Sequence, residues 1–215
     1  MQRTRARILI ADDHTLVAEL CKNVLEPEFE VIGTVGNGRA MVRAATDSRP
    51  DIIVVDIAMP ILNGLDAGQQ VKEVLPQVKL LFLTMNGDPE LAAAAFRRGA
   101  SGYLLKTCAA SELVTAVRDV LRGKSYMSRT LSKADVNYLR DHKHGLMKEE
   151  RRLTDRQREV LQLLAEGKVM KEIGDILCMT TRTVAFHKYR MMEMLGAKSN
   201  AELVRYAVRN RMVAA

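Results

Sequence analysis

The chain has 215 residues, 47% of them hydrophobic, which is enough apolar material for a core in each of two domains. Its formal charge of +7 lies wholly in the C-terminal part: residues 1–124 carry 15 Lys/Arg and 15 Asp/Glu, residues 125–215 carry 18 and 11. Three scattered cysteines (Cys21, Cys108, Cys178) at apolar or small-residue positions exclude a disulfide framework, and the short apolar run RILIA near the start is far below a secretory core or a membrane span. A soluble, cytoplasmic protein with no membrane partner is expected. The basic C-terminal part points to nucleic acid, with a plain solvated surface as the alternative reading of the same charge.

In chain order, β-branched or apolar runs at residues 7–11, 29–35, 51–56, 79–84 and 102–105 predict five strands. Helical apolar spacing separates them, as in Leu16, Leu20 and Val24, and again in Leu113, Val117 and Leu121. Such alternation means a parallel sheet covered on both faces. Asn86, Gly87, Asp88 and Pro89 supply a turn, an N-cap and a first-turn proline for the Ala-rich helix that follows. Strand signals stop after Gly123. Residues 128–142 show one modest helix, with Leu131, Val136 and Leu139, before the polar stretch HKHGLMKEERR. From Leu153 onward all is helical, with expected capping boxes at Thr154/Gln157 and Ser199/Glu202. The expected domains are residues 1–123, a linker at 124–150 and a small all-α domain at 151–215.

Asp12 and Asp13 end the first strand, Asp56 the third and Thr84 the fourth, and Lys106 follows the fifth. All lie at the carboxyl edge, where an open parallel sheet binds its ligand at the point where strand order reverses. Three carboxylates brought together repel, so a Mg²⁺ ion and the Lys106 ammonium are expected to balance them. A carboxylate in such a setting accepts a phosphoryl group in line, with Thr84 able to hydrogen-bond one of its oxygens. Taken singly, acidic residues at strand ends are also ordinary turn formers. A haloacid-type phosphatase is a different use of an aspartate on a parallel sheet, but it needs Asp-x-Asp after the first strand, and Asp12, Asp13 and His14 lack that spacing.

The segments RILIADDHTLV, DIIVVDIAMPILNGLD, LLFLT and GASGYLLKT resemble the receiver domain of response regulators, a flavodoxin-like (βα)5 fold, over roughly residues 7–123. The resemblance implies that Asp56 is the phosphoacceptor and that Asp13, Asp56 and the Ala58 carbonyl bind Mg²⁺, with Asp12 helping through water. It also implies that Thr84 and Lys106 read the phosphoryl group and that Tyr103 is a switch aromatic, ordinary half-buried packing being the other reading of that ring. Two departures stand out. Met85 is larger than the usual small residue and is expected to crowd the swing of Tyr103, and Thr107 replaces a common proline.

Within LTDRQREVLQLLAEGKVMKEIGDILCMTTRTVAFHKYRMMEMLGAKSNAEL, three helices are separated by Gly167 and by residues 178–180, and a fourth follows Gly196. The short second turn predicts a helix-turn-helix. On the helix from about Thr181 to Leu195, Val184, Met191 and Leu195 share a core face. His187 and Lys188 lie at the margins of that face, and His187 reads as a packing or capping residue because no second metal ligand is near. Arg182, Phe186, Tyr189 and Glu193 face the other way, flanked by Ala185 and Arg190, to meet either a DNA groove or a neighbouring surface. The segment resembles the LuxR-type helix-turn-helix, a four-helix domain, and with the receiver it places the chain near the NarL/FixJ response regulators. That resemblance implies base reading by Ala185, Phe186 and Tyr189, and phosphate contacts from Lys171, Thr181, Arg182, Thr183, Lys188 and Arg190. It further implies double-stranded DNA and a histidine kinase as partners, and a homodimer formed through Val204, Ala207 and Val208 of the last helix, which equally suit packing inside the domain.

The combined expectation is a two-component response regulator, not an enzyme, in which phosphorylation of Asp56 controls DNA binding and transcription. The alternative is a phosphorylation-independent DNA-binding protein whose receiver serves dimerisation or ligand sensing.

Overall fold

The structure, a computed structural model, describes residues 5–108, 110–131 and 153–213. Strand and helix alternate as β1 (Arg7–Ala11), α1 (Thr15–Leu25), β2 (Glu30–Val35), α2 (Gly38–Ser48), β3 (Ile52–Val55), α3 (Gly64–Val74), β4 (Lys79–Thr84), α4 (Pro89–Arg97), β5 (Gly102–Leu105), α5 (Ala110–Leu121) and a two-residue β6 (Tyr126–Met127). The strands form one parallel sheet in the order β2-β1-β3-β4-β5-β6. Consecutive crossovers run one way from β1 to β2 and the other way from β1 to β3, so the reversal point lies between β1 and β3.

Both faces of the sheet are buried, which is why its strands read as nearly continuous apolar runs. Ile8, Ile10, Val54, Leu81, Leu83 and Leu104 on one face join Cys21 and Leu25 of α1 and Leu113, Val117 and Val120 of α5 in one core. The alternate residues Leu9, Ile53, Val55, Leu80, Phe82 and Tyr103 are buried as well. Each such side chain contributes about 1.5–3 kcal/mol by leaving water. Helix starts follow local chemistry: Asn37 accepts the Ala40 N–H at 2.8 Å to open α2, and Asp88 accepts the Glu90 N–H at 2.7 Å to open α4, with Pro89 in its first turn.

One expectation is corrected here. Strand signals were expected to stop after Gly123, yet Tyr126 and Met127 pair with Gly102 and Tyr103 as a sixth strand. Two residues carry no periodicity, so only the free edge of β5 creates this strand. The helix expected across residues 128–142 lies outside the described residues from 132 onward.

Four further helices follow: α6 (Asp155–Ala165), α7 (Met170–Leu177), α8 (Thr181–Leu195) and α9 (Asn200–Arg209). Val160, Leu161, Leu163, Ile173, Leu177, Val184, Met191, Leu203 and Ala207 form their core. Thr154 and Gln157 make the expected reciprocal capping box, with bonds of 3.2 and 2.9 Å. At the start of α9, Ser199 accepts the Glu202 N–H at 3.3 Å, but Glu202 reaches back to the N–H of Lys198, not to that of Ser199. Ala207 is fully buried in the domain core, so the stripe expected for dimerisation narrows to the half-buried Val204 and Val208. The chain divides into two compact units, Met1–Met59 with Gly64–His142 and Pro60–Asn63 with Lys143–Ala215.

Candidate functional site

Sheet register assembles the acidic site. Ala11 pairs with Val55, so the next residue of each strand, Asp12 and Asp56, emerge side by side at the carboxyl edge beside the reversal point. The Asp56 N–H donates to the Ala11 carbonyl at 2.8 Å and the Asp12 N–H to the Val35 carbonyl at 2.9 Å, which fixes the backbone of both residues. From the end of β5, Lys106 donates its own N–H to the Thr84 carbonyl at 2.8 Å and turns its side chain across the edge. Its Nζ lies 2.8 Å from Asp12 Oδ2 and 2.9 Å from Asp56 Oδ2.

The two carboxylates and the ammonium are nearly inaccessible, with side-chain exposures of 3% and 7%. Burial pushes the Asp56 carboxyl above the ordinary carboxylate range, and the Asp12 charge adds to this against the opposing Lys106 and the Ala58 backbone. Burial alone would lower the Lys106 ammonium, but hydrogen bonds to Asp12 and Asp56 outweigh it and hold the ammonium above its usual value.

Asp13 and His14 complete the cluster. One ligand atom from each of Asp12, Asp13, His14 and Asp56 lies within 4.8 Å of all the others. These three carboxylates are the hard oxygen set that a Mg²⁺ ion takes, together with several waters, so the residues present fit such an ion. In the sequence, His14 is signalled only by its place directly after the Asp pair.

Thr84 is buried, and its hydroxyl accepts the Asn86 N–H at 3.2 Å. Tyr103 is fully buried, deeper than half-buried packing implies, and its hydroxyl donates to the Asn86 carbonyl at 2.7 Å. The loop after β4 is thus tied to both residues. Met85, next to Thr84, is 70% exposed. Behind the acidic edge, a Cβ on Gly64 would stand 2.0 Å from the Asp56 carbonyl oxygen, so only glycine lets α3 begin against the end of β3.

In the second unit, α7 ends at Cys178 in the left-handed region (φ 55°), and α8 begins at Thr180, whose Oγ1 accepts the Thr183 N–H at 3.1 Å. Cys178 is exposed. The turn is tight because Gly174 lacks a side chain: a Cβ there would meet the Met179 carbonyl oxygen at 2.7 Å. Arg156 of α6 donates to the Leu177 carbonyl, adding positive charge at the C-terminal end of α7.

Helix α8 buries Val184 and Met191 and leaves Phe186 and Tyr189 64% and 62% exposed. Lys171, Thr181, Arg182 and Arg190 are exposed with them, while Thr183, Ala185 and Lys188 are half-buried. Lys188 Nζ lies 5.5 Å from the Tyr189 ring centre. The His187 ring packs edge to face on Phe186 at 5.8 Å, and burial, helped by Arg156, lowers its pKa, which fits a packed histidine.

A receiver-type acidic edge on a doubly wound sheet, carried in one chain with a helix-turn-helix, defines a signal-responsive DNA-binding protein as the class. Comparison with known proteins agrees. The model of the family described as response regulator receiver domain matches residues 8–118, and that described as bacterial regulatory proteins, luxR family, matches residues 151–207. The oxygen regulatory protein NreC of Staphylococcus haemolyticus is 34% identical over 96% of this chain and 99% of its own. Among solved structures, the RcsB response regulator of Salmonella typhimurium is 25% identical with a TM-score of 0.59, covering 95% of this chain and 97% of that one. A complex of RcsB with DNA gives 25% and 0.54, covering 94% and 98%. The chain belongs to the two-component response regulators of the NarL/FixJ type, with a receiver domain and a LuxR-type DNA-binding domain. It is a regulator of transcription and not an enzyme.

Proposed function

We propose that Asp56 is the phosphoacceptor and that its phosphorylation by a histidine kinase controls DNA binding through α8. The observation that carries this is the Lys106 ammonium shared between Asp12 and Asp56 at 2.8 and 2.9 Å. Asp56 attacks the phosphorus of the donor as its bond to the donor breaks, and Lys106 offsets charge on the transferring oxygens. A Mg²⁺ ion held by Asp12, Asp13, Asp56 and the Ala58 carbonyl would supply Lewis acidity there. The Thr84 hydroxyl, which accepts the Asn86 N–H, donates its own O–H to a phosphoryl oxygen and so draws on the loop that Tyr103 also holds. That contact exists only in the phosphorylated state, so it shifts a two-state equilibrium.

Leu16 and Leu20, 81% and 61% exposed and one helical turn apart on α1, give a protein donor an apolar foothold next to the Asp pair. On DNA, Ala185, Phe186 and Tyr189 meet base edges and thymine methyls, while Lys171, Thr181, Arg182, Thr183, Lys188 and Arg190 meet phosphates. Val204 and Val208 of α9 serve a homodimer. The domain bounds are residues 1–123, 124–150 and 151–215, and the site of action is the cytoplasm, in keeping with the lack of any helix among the described residues long and apolar enough to cross a membrane.

The test is intact mass after incubation with acetyl phosphate and Mg²⁺. A phosphoryl-sized gain in wild type that is lost in Asp56→Asn is expected. No gain in either protein favours a regulator that works without phosphorylation.

A further inference from the structure

We infer that the receiver carries a second binding site, at the amino edge of its sheet, for an organic polyanion of the nucleoside polyphosphate class.

The strands that lead to Asp12, Asp56 and Thr84 at one end begin around a cavity at the other. Arg7 opens β1, Asp51 precedes β3 and Lys79 opens β4, and all three line a cavity of about 860 Å³. That volume is in the range of small-molecule sites, about 300–1,000 Å³. Its charge is one-sided, since Arg5, Arg7, Arg49 and Lys79 line it with Asp51 as the one carboxylate. Asp51 spends an oxygen on the Arg7 backbone N–H at 2.7 Å. Among the described residues none of the four cations forms a salt bridge. The hydrogen bonds of Arg5 and Arg7 go to carbonyls instead, Arg5 to that of Glu26 and Arg7 to those of Ser48 and Arg49. Neutral acceptors leave the positive charge uncompensated, so the cavity concentrates a positive field.

Lys72 adds to that field from behind the wall. Its Nζ donates to the carbonyls of Pro76 and Val78, which fixes the loop between α3 and β4 against the cavity. Burial, with the Lys79 charge beside it, lowers the pKa of this ammonium. The rest of the lining is largely apolar, with Val74, Leu75 and Leu121 among it, and Val74 is left 56% exposed.

This pairing of surfaces sets the ligand class. Guanidinium groups bind phosphate oxygens two at a time and stack on flat aromatic rings. Inorganic phosphate would leave the apolar lining bare, and an apolar ligand would bury cations without partners. A nucleoside polyphosphate satisfies both, its phosphates on the arginines and Lys79 and its base against Val74 and Leu121. Bound there it joins the starts of β1, β3 and β4, so it stabilises the folded receiver by mass action.

The full-length protein, in EDTA and about 0.15 M salt, is titrated with ATP by calorimetry and melted with and without it. EDTA keeps the acidic edge from gathering phosphate through a metal. One ATP per chain and a raised melting temperature are expected. Adenosine and inorganic triphosphate should each bind at least about tenfold more weakly than ATP. Arg49→Glu, and separately Arg5→Glu at the exposed chain start, should each weaken ATP at least about tenfold. Unchanged ATP affinity in both variants overturns the site, and so does a wild type that binds no ATP. Triphosphate binding as tightly as ATP overturns the nucleoside assignment, because charge alone then holds the ligand. Loss of ATP in Asp56→Asn places it at the acidic edge, and loss in Lys171→Glu places it on the DNA-binding domain; either result overturns the inference.

Discussion

Lys106 Nζ stands 2.9 Å from Asp56 Oδ2, although 50 residues separate them in the chain, and the same ammonium also holds Asp12. Removing that cation leaves two buried carboxylates facing each other. Lys106→Ala should cost about 3 kcal/mol in metal-free urea denaturation at neutral pH, because an uncompensated buried charge is the expensive outcome. Added Mg²⁺ should recover part of that loss, and an unchanged midpoint without metal would show that the ammonium is not what balances the pair.

Asp56→Asn should act in the opposite direction. Burial raises the Asp56 carboxyl above its ordinary value, so the folded state binds this proton more tightly than the unfolded chain does. The stability it gives is complete below the ordinary carboxylate pKa and is lost as pH rises through the raised one. At neutral pH and without metal, the neutral amide should therefore be more stable than wild type by about 1 kcal/mol. The difference should shrink as pH falls below the carboxylate range. Thermal melts across that range read both the sign and the window.

Gly64→Ala should cost about 2 kcal/mol, since the new methyl would meet the carbonyl oxygen of Asp56, a backbone atom that cannot turn aside. The same shift moves Asp56, so uptake of phosphoryl from acetyl phosphate should fall more than stability does. A variant that melts normally and phosphorylates normally would mean that α3 starts with more room than the structure gives it.

Cys178 adopts a left-handed conformation at the end of α7 with a side chain that points to solvent. A non-glycine residue there carries strain that glycine lacks, so Cys178→Gly should stabilise the DNA-binding domain by about 1 kcal/mol. Chemical denaturation of the full chain, followed through the helical signal, decides it, and a loss of stability would place the value of Cys178 in its side chain.

Phe186→Ala and Tyr189→Ala should each weaken specific DNA binding about tenfold while changing stability by less than about 0.5 kcal/mol, because both side chains are exposed. Arg182→Ala should weaken specific and non-specific DNA alike and lower the salt slope by about one. Binding isotherms at several salt concentrations separate the two behaviours. A large loss of stability in either aromatic variant would show that the ring packs inside the protein.

Much of this protein was legible without coordinates because the deciding interactions are local. Continuous apolar runs and helical apolar spacing mark the alternating strands and helices, and the two faces of α8 follow from one hundred degrees per residue, which is why Val184 and Met191 are buried while Phe186 and Tyr189 are not. The general rule that ligands gather at the carboxyl edge was enough to group Asp12, Asp13, Asp56 and Lys106 in advance. What only the tertiary structure decided are relations between elements that no local pattern encodes. Strand order and register set the distances that let one ammonium reach two aspartates and bring His14 to the same cluster. The free edge of β5 makes a strand of Tyr126 and Met127, the Asn86 carbonyl gives the buried Tyr103 hydroxyl its partner, and helix packing takes Ala207 into the core. Each depends on where a second segment stands, and that position is set by the fold as a whole.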